Sequence, residues 1–178
     1  MACALWAPAC WSDSSFPDRY DADIRSAAKL YLPGVDWRLW KSQLYAESRL
    51  DPDAVSPVGA AGVAQFMPAT WREVTAALGW SGVSPHDAQP AIEAGAYYLA
   101  RLRRNWSAPR PEADRHSLAA ASYNAGLGHL LKAQRRCGGP PGYAEIIECL
   151  PEVTGRHSEE TITYVQRIWR FWTRMLLS

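Results

Sequence analysis

The stretch DWRLWKSQLYAES, residues 36–48, has the apolar spacing of a helix and carries the residue from which the fold and its chemistry can be inferred. Trp40, Leu44 and Glu47 stand at positions i, i+4 and i+7, so Glu47 shares an inward face with apolar residues. An apolar environment raises the pKa of a carboxylic acid and lets it donate a proton near neutral pH. Cleavage of a glycosidic bond needs such an acid. The alternative is a glutamate that turns outward beside Ser48.

The rest of the sequence is also helical in pattern, and alternating strand patterns are scarce. The clearest periodicity follows Pro90, where Gly95 and Ala96 would let a neighbouring helix approach closely. The predicted helices cover residues 21–32, 36–48, 68–78, the segment from 90 to 106, 115–125, 128–136 and 159–177. These patterns predict a single, mostly α domain over residues 19–178, preceded by an N-terminal extension over residues 1–18.

Three further stretches contain residue types that suit a glycan site. They are GVAQFMPAT (residues 62–70), ASYNAG (residues 121–126) and ETITYV (residues 160–165). The turn-rich segment 56–62 could bring the chain back over the helix end that carries Glu47. Gln65 would then offer an amide to sugar hydroxyl or N-acetyl groups, and Met67 a soft apolar surface. The ordinary explanation for this stretch is a helix-entry loop with a buried methionine.

The other two stretches also have an ordinary explanation beside the functional one. Tyr123 ends a helix, with Gly126 predicted in the left-handed cap position, and could hydrogen-bond a nearby carboxyl group and hold its rotamer. The alternative is a plain C-cap with a half-buried tyrosine. Glu160 begins the last helix, where the helix dipole favours a negative charge in any case. Neither stretch by itself decides between these interpretations.

Together, the order and spacing of these stretches resemble the catalytic domain of the soluble lytic transglycosylases, goose-lysozyme-like enzymes that cut peptidoglycan glycan strands. The resemblance covers nearly the whole chain and implies a mostly α, lysozyme-like (SLT-type) helical domain with a glycan-binding cleft. It implies that Glu47 is the single catalytic acid and base. It also implies that the cleft is lined by Ser56, Gln65, Met67, Tyr123, Asn124, Glu160 and Tyr164. One departure is Ala64, where the family usually has methionine.

The resemblance implies lytic transglycosylation rather than hydrolysis. Glu47 would protonate the oxygen between N-acetylmuramic acid and N-acetylglucosamine, and would then take the proton of the C6 hydroxyl as it closes a 1,6-anhydro ring. The muramic N-acetyl carbonyl would offset the charge at C1, so no second carboxylate is needed. Two alternatives stay open. One is a hydrolytic muramidase of the endolysin type, with Asp51 or Asp53 holding a water, and the other is a non-catalytic wall-binding or virion structural domain.

Composition bears on the partners. The formal net charge is +1, which gives no general attraction to nucleic acid. A cluster of five arginines is interpreted as a solvated helix end and loop, with attraction to an anionic polymer such as peptidoglycan as the alternative. Its members are Arg101, Arg103, Arg104, Arg110 and Arg115. No apolar run reaches the length of a membrane span, and the scattered histidines indicate no metal. We expect a monomer without a cofactor that binds peptidoglycan glycan strands.

The start of the chain and its cysteines bear on localisation. Residues 1–10 are apolar but lack a charged n-region, so they make a poor secretory signal. We expect action in the periplasm or cell wall, by a secreted protein or by a phage lysin or virion-associated protein.

An even number of cysteines in a wall-acting protein favours disulfides over metal. Cys137 and Cys149 are predicted to pair across a loop rich in Gly and Pro, and Cys3 and Cys10 form the other near pair.

Overall fold

The computed structural model describes residues 16–178, and this part of the chain folds into nine helices. They are Asp21–Tyr31 (α1), Trp37–Ser48 (α2), Pro68–Leu78 (α3), Ala88–Asn105 (α4), Glu112–Ala125 (α5), Leu127–Arg136 (α6), Tyr143–Glu148 (α7), Pro151–Thr154 (α8) and His157–Leu177 (α9). The prediction of a mostly α domain is confirmed, although α7 and α8 were not predicted. Within the described residues, no helix combines the length and apolarity that a membrane crossing needs.

Helix α2 packs mainly against α9. Its N-terminus is capped by Asp36, whose side chain accepts a hydrogen bond from the Arg38 N–H at 3.0 Å. Trp40 and Leu44 are fully buried. The Trp40 ring packs onto α4 at Gly95, where a Cβ atom would lie 2.7 Å from the ring. The predicted close approach at Gly95 is therefore confirmed.

The chain leaves α2 through two consecutive residues in the left-handed region. Arg49 has φ 60° and Leu50 has φ 64°, a conformation that costs roughly 1–2 kcal/mol per residue with a side chain. Complete burial of the Leu50 side chain offsets a cost of this size, since burying a leucine contributes about 1.5–3 kcal/mol. The turn sends residues 51–67 back over the end of α2. Ser48 fastens this loop, because its Oγ donates to the Val63 carbonyl at 2.8 Å.

The returning loop is compact and is held by close backbone approach. Two isolated antiparallel bridges join Val55 to Ala61 and Ala61 to Phe66. Gly62 has φ 76°, and a Cβ atom at this position would lie 1.7 Å from the Pro85 carbonyl oxygen. Only glycine fits here, which fixes the path of the loop against the segment before α4.

A disulfide closes the segment between α6 and α9. Cys137 follows α6 and Cys149 follows α7, and their Cα atoms are 5.8 Å apart. The predicted Cys137–Cys149 pair is confirmed in the structure. Cys3 and Cys10 lie outside the described residues, as does most of the predicted N-terminal extension.

The arginine cluster near α4 and α5 is largely paired with carboxylates. Arg101 contacts Glu73 at 2.7 Å, while Arg103 and Arg115 both contact Glu112, at 2.6 and 2.8 Å. These pairs connect α3, α4 and α5, and their exposed carboxylates limit each contribution to about 1 kcal/mol or less. The contacts support the interpretation of this cluster as a solvated structural surface.

Candidate active site

A cleft of about 360 Å³ lies where the end of α2, the returning loop, the end of α5 and the first turns of α9 meet. It contains Glu47 and brings together all seven residues that the sequence placed around it. These are Ser56, Gln65, Met67, Tyr123, Asn124, Glu160 and Tyr164. Four further lining residues were not predicted, namely Ala46, Val58, Ala60 and Arg167. Arg167 was detectable, because Glu160, Tyr164 and Arg167 follow the i, i+4, i+7 spacing of one helix face.

Glu47 stands in the last turn of α2 with its carboxyl group turned into the cleft. The Tyr164 hydroxyl donates a hydrogen bond to Glu47 Oε1. Burial raises the pKa of Glu47 from its ordinary value of 4.5 to about 7, and the negative charge of Glu160 adds to this increase. The Tyr164 hydrogen bond and the positive charge of Arg167 act in the opposite direction. Near neutral pH both the protonated and the ionised form are therefore populated, and the alternative of an outward-facing Glu47 is wrong.

The tyrosine that holds the acid is not the one expected. For Tyr123 the sequence left open a hydrogen bond to a carboxyl group or a plain C-cap, and its hydroxyl donates instead to the Ala64 carbonyl at 2.9 Å. Tyr164 takes the predicted role because it lies on α9, which packs directly on α2. Burial and the charge of Glu47 hold the pKa of both tyrosines well above the ordinary value of 10.0, so both stay neutral donors. The predicted left-handed cap at Gly126 is also wrong, since its φ of 90° is paired with ψ 135°.

The loop side of the cleft is formed by residues whose polar atoms are partly engaged within the loop. Gln65 Nε2 donates to the Ala54 and Gly62 carbonyls at 3.1 and 2.9 Å, so its Oε1 is the atom left to face a ligand. Ser56 Oγ accepts the Ala60 N–H at 2.9 Å. Met67 is 42% exposed at the start of α3, so the alternative of a buried methionine is wrong.

The opposite wall joins α5 to α9. Asn124 Oδ1 accepts a hydrogen bond from Thr161 Oγ1 at 2.7 Å, and Glu160 is exposed in the first turn of α9. Asp51 and Asp53, the residues that could hold a water in a hydrolase, are exposed in the loop and are not part of the cleft lining. Glu160 is therefore the second carboxylate that the described residues supply to the cleft.

The chemistry available in this cleft is proton transfer by the partly buried carboxyl group of Glu47. Its pKa of about 7 suits both donation and acceptance of a proton near neutral pH. Within residues 16–178, no three His, Cys, Asp or Glu side chains come together as a candidate metal site.

Sequence comparisons relate the chain to one family of domains. The family model for the transglycosylase SLT domain matches residues 26–145. A membrane-bound lytic murein transglycosylase F from Thiobacillus denitrificans is 39% identical over 125 residues, which cover 67% of this chain and 25% of the relative. The protein of the same name from Alcanivorax borkumensis is 37% identical over 123 residues, 66% of this chain and 25% of the relative. The chain thus spans about a quarter of the length of these curated relatives.

Solved structures extend the similarity to α9, which lies beyond the family match. Lytic transglycosylase Slt from Pseudomonas aeruginosa, solved as an inactive mutant, gives a TM-score of 0.70 at 26% identity, covering 90% of this chain and 24% of that protein. The 70 kDa soluble lytic transglycosylase from Escherichia coli gives 0.70 at 23% identity, covering 92% and 25%, and supports the fold alone. The match over residues 26–145 and the shared fold establish that this chain belongs to the transglycosylase SLT domain family.

Proposed function

We propose that the protein is a peptidoglycan lytic transglycosylase that cleaves the β-1,4 bond from N-acetylmuramic acid to N-acetylglucosamine and leaves 1,6-anhydro-muramic ends. The observation that carries this proposal is Glu47, a partly buried carboxyl group with a pKa of about 7 that lines a cleft. Membership of the SLT family and the murein transglycosylases among the relatives support it.

In the first step, protonated Glu47 acts as the acid. Its proton moves to the glycosidic oxygen, the bond from C1 to that oxygen breaks, and the bonding electrons leave with the oxygen of N-acetylglucosamine. The carbonyl oxygen of the muramic N-acetyl group offsets the positive charge that develops at C1. The Tyr164 hydroxyl holds the Glu47 carboxyl group in place during this transfer.

In the second step, the ionised Glu47 acts as the base. It removes the proton of the muramic C6 hydroxyl while the C6 oxygen forms a bond to C1, which closes the 1,6-anhydro ring. Glu47 is protonated again at the end, so the cycle consumes no water and needs no second carboxylate. A carboxyl group with a pKa near the working pH serves both steps.

The other lining residues would hold the glycan strand. Asn124 and Gln65 offer polar atoms to sugar hydroxyl and N-acetyl groups, while Met67 offers an exposed apolar surface. Ser56 and Tyr123 complete the loop side of the cleft, and Glu160 stands at its α9 side. We infer action as a monomer on peptidoglycan in the periplasm or cell wall, as a secreted protein or as a phage lysin or virion-associated protein.

Product analysis tests this function directly. Purified peptidoglycan is digested and the released muropeptides are weighed by mass spectrometry, because anhydro and reducing products differ by one water. We expect anhydro-muramic ends from the wild type and no cleavage by Glu47→Gln, which keeps the size of the side chain and removes its ionisable proton. In the solved Slt from Pseudomonas aeruginosa, an inactive mutant, Gln likewise replaces a Glu.

Carboxylate variants separate the transglycosylase from a muramidase. Asp51→Asn and Asp53→Asn should keep most activity, because neither residue lines the cleft among those the structure describes. A hydrolase that loses its base should fall by about 10²–10⁴-fold. Reducing-end products from the wild type, with collapse of activity in Glu160→Gln, would assign a muramidase. Full activity in folded Glu47→Gln would overturn the assignment of the acid.

A further inference from the structure

Arg167 is a cleft residue whose charge is not neutralised by a neighbouring carboxylate. It lies on α9 one turn beyond Tyr164 and lines the cleft together with Glu47. Its Nε atom is buried and has no hydrogen-bond partner within the described part of the chain. By contrast, Arg101 and Arg103 each contact a glutamate within 3 Å. Burial of an unpaired guanidinium atom is unfavourable for folding. We therefore expect Arg167 to have a role in the cleft.

The groups around Glu47 either favour its ionised form, disfavour it or are uncharged. From α9 come Tyr164 and Arg167, which favour the ionised carboxylate, and Glu160, which disfavours it. From α5 comes the neutral hydroxyl of Tyr123, and the loop lining supplies no charged side chain. Among the described residues that line the cleft, Arg167 is therefore the one cation.

The distance between Arg167 and Glu47 matters as much as their charges. No direct ion pair joins Arg167 to Glu47 in the structure, although both line the same cleft. A direct pair would lower the pKa of the carboxyl group by about 1–3 units and keep it ionised at neutral pH. An acid could not then start the reaction. A cation that lines the same cleft without pairing directly still stabilises the carboxylate once the proton has left, without preventing its protonation beforehand.

We propose that Arg167 is a positioning residue that stabilises the ionised form of Glu47 between its two proton transfers. The inference rests on the proposed function, because only a residue that works first as acid and then as base needs both forms in one cycle. During the interval, the carboxylate has lost its proton to the leaving oxygen and waits for the proton of the C6 hydroxyl. The Tyr164 hydrogen bond and the Arg167 charge are the two favourable interactions available to it.

The first test measures the ionisation of Glu47 directly and does not depend on an activity assay. Protein labelled with ¹³C at the glutamate side-chain carboxyl carbon is titrated by NMR, and Glu47→Gln identifies the resonance. Arg167→Met should raise the pKa of Glu47 by about one unit, because loss of a cation disfavours the charged form. Arg167→Lys should restore most of the wild-type value. The matched control is Arg170→Met on the exposed face of the same helix, which should leave the titration unchanged.

The pH dependence of kcat/KM then shows whether the charge of Arg167 contributes to catalysis. In Arg167→Met the alkaline limb of kcat/KM should move to higher pH with the titration of Glu47, and the maximal rate should fall about tenfold, the equivalent of one pKa unit. If Arg167→Met does not fold, Arg167→Gln takes its place in both measurements. An unchanged Glu47 titration, or a shifted titration with an unchanged rate, would overturn the proposal. A shifted titration in a protein whose wild type cuts no glycan would instead refute the proposed function and leave the charge coupling standing.

Discussion

Replacing Glu47 with Gln should stabilise the folded protein at alkaline pH, although it removes the proposed acid. The reason is that burial makes the ionised carboxyl group unfavourable in the folded state, while the unfolded chain solvates it freely. A neutral amide of nearly the same size pays no such penalty. The prediction concerns the difference in free energy of unfolding between the variant and the wild type, since all other titrating groups are common to both.

The magnitude follows from the two pKa values. Below an ordinary pKa of 4.5, Glu47 is protonated in both states and contributes no pH dependence. As the pH rises toward about 7, the unfolded chain releases its proton first, so the wild-type free energy of unfolding falls. Above that value the loss is complete. The difference between a pKa of 4.5 in the unfolded chain and about 7 in the folded protein corresponds to about 3 kcal/mol, at about 1.36 kcal/mol per pKa unit.

Urea unfolding followed by circular dichroism measures this difference, with the disulfide kept oxidised in both proteins. The gap in free energy between Glu47→Gln and the wild type should be about 3 kcal/mol larger at about pH 8.5 than at about pH 4. A gap that is equal at both pH values would refute the reasoning. Glu47 would then not be an acid with a raised pKa, and the proposed chemistry would lose its physical basis.

Two further predictions concern packing and the disulfide. Gly95→Ala would place a Cβ atom 2.7 Å from the Trp40 ring. We expect it to lower the free energy of unfolding in urea by about 1–3 kcal/mol. The control is Gly128→Ala, in a helix where a Cβ atom would meet nothing within 4 Å, and it should show no such loss. Replacing Cys137 and Cys149 together by Ser should cost about 3 kcal/mol, and alkylation without reductant should find no free thiol at either position in the wild type. Equal stability of the two glycine variants, or alkylation of both cysteines, would contradict these expectations.

The features that the sequence predicted well are local. The apolar stripe of α2 depends on residues within a few turns of one another, and helical spacing placed Glu47 on that stripe, with an outward-facing side chain as the alternative. The short helices α7 and α8 were missed for the same reason, because six and four residues are too few to show a period. The i, i+4, i+7 spacing of Glu160, Tyr164 and Arg167 on one face of α9 is also local and would have found Arg167.

The features that were predicted wrongly depend on distant contacts. Tyr164 and Glu47 are 117 residues apart, and no spacing within either helix shows that they meet. Tyr123 was a reasonable choice for the same bond, since both tyrosines end up in the cleft. The left-handed conformations of Arg49 and Leu50 are equally hidden, because neither residue type favours them and it is tertiary contacts, such as the burial of Leu50, that offset their cost.

One set of hydrogen bonds explains why the stretches around Glu47, Gln65 and Tyr123 occur in one cleft. The Ser48 hydroxyl donates to the Val63 carbonyl, and the Tyr123 hydroxyl donates to the next carbonyl along the chain, that of Ala64. The returning loop is thus fastened at adjacent residues, from α2 on one side and from α5 on the other. Both donors use their hydroxyl groups to position the loop, which leaves the acid itself to Tyr164. Loss of either loop bond should therefore widen the cleft before it changes the ionisation of Glu47, whereas loss of the Tyr164 hydroxyl should act on that ionisation directly.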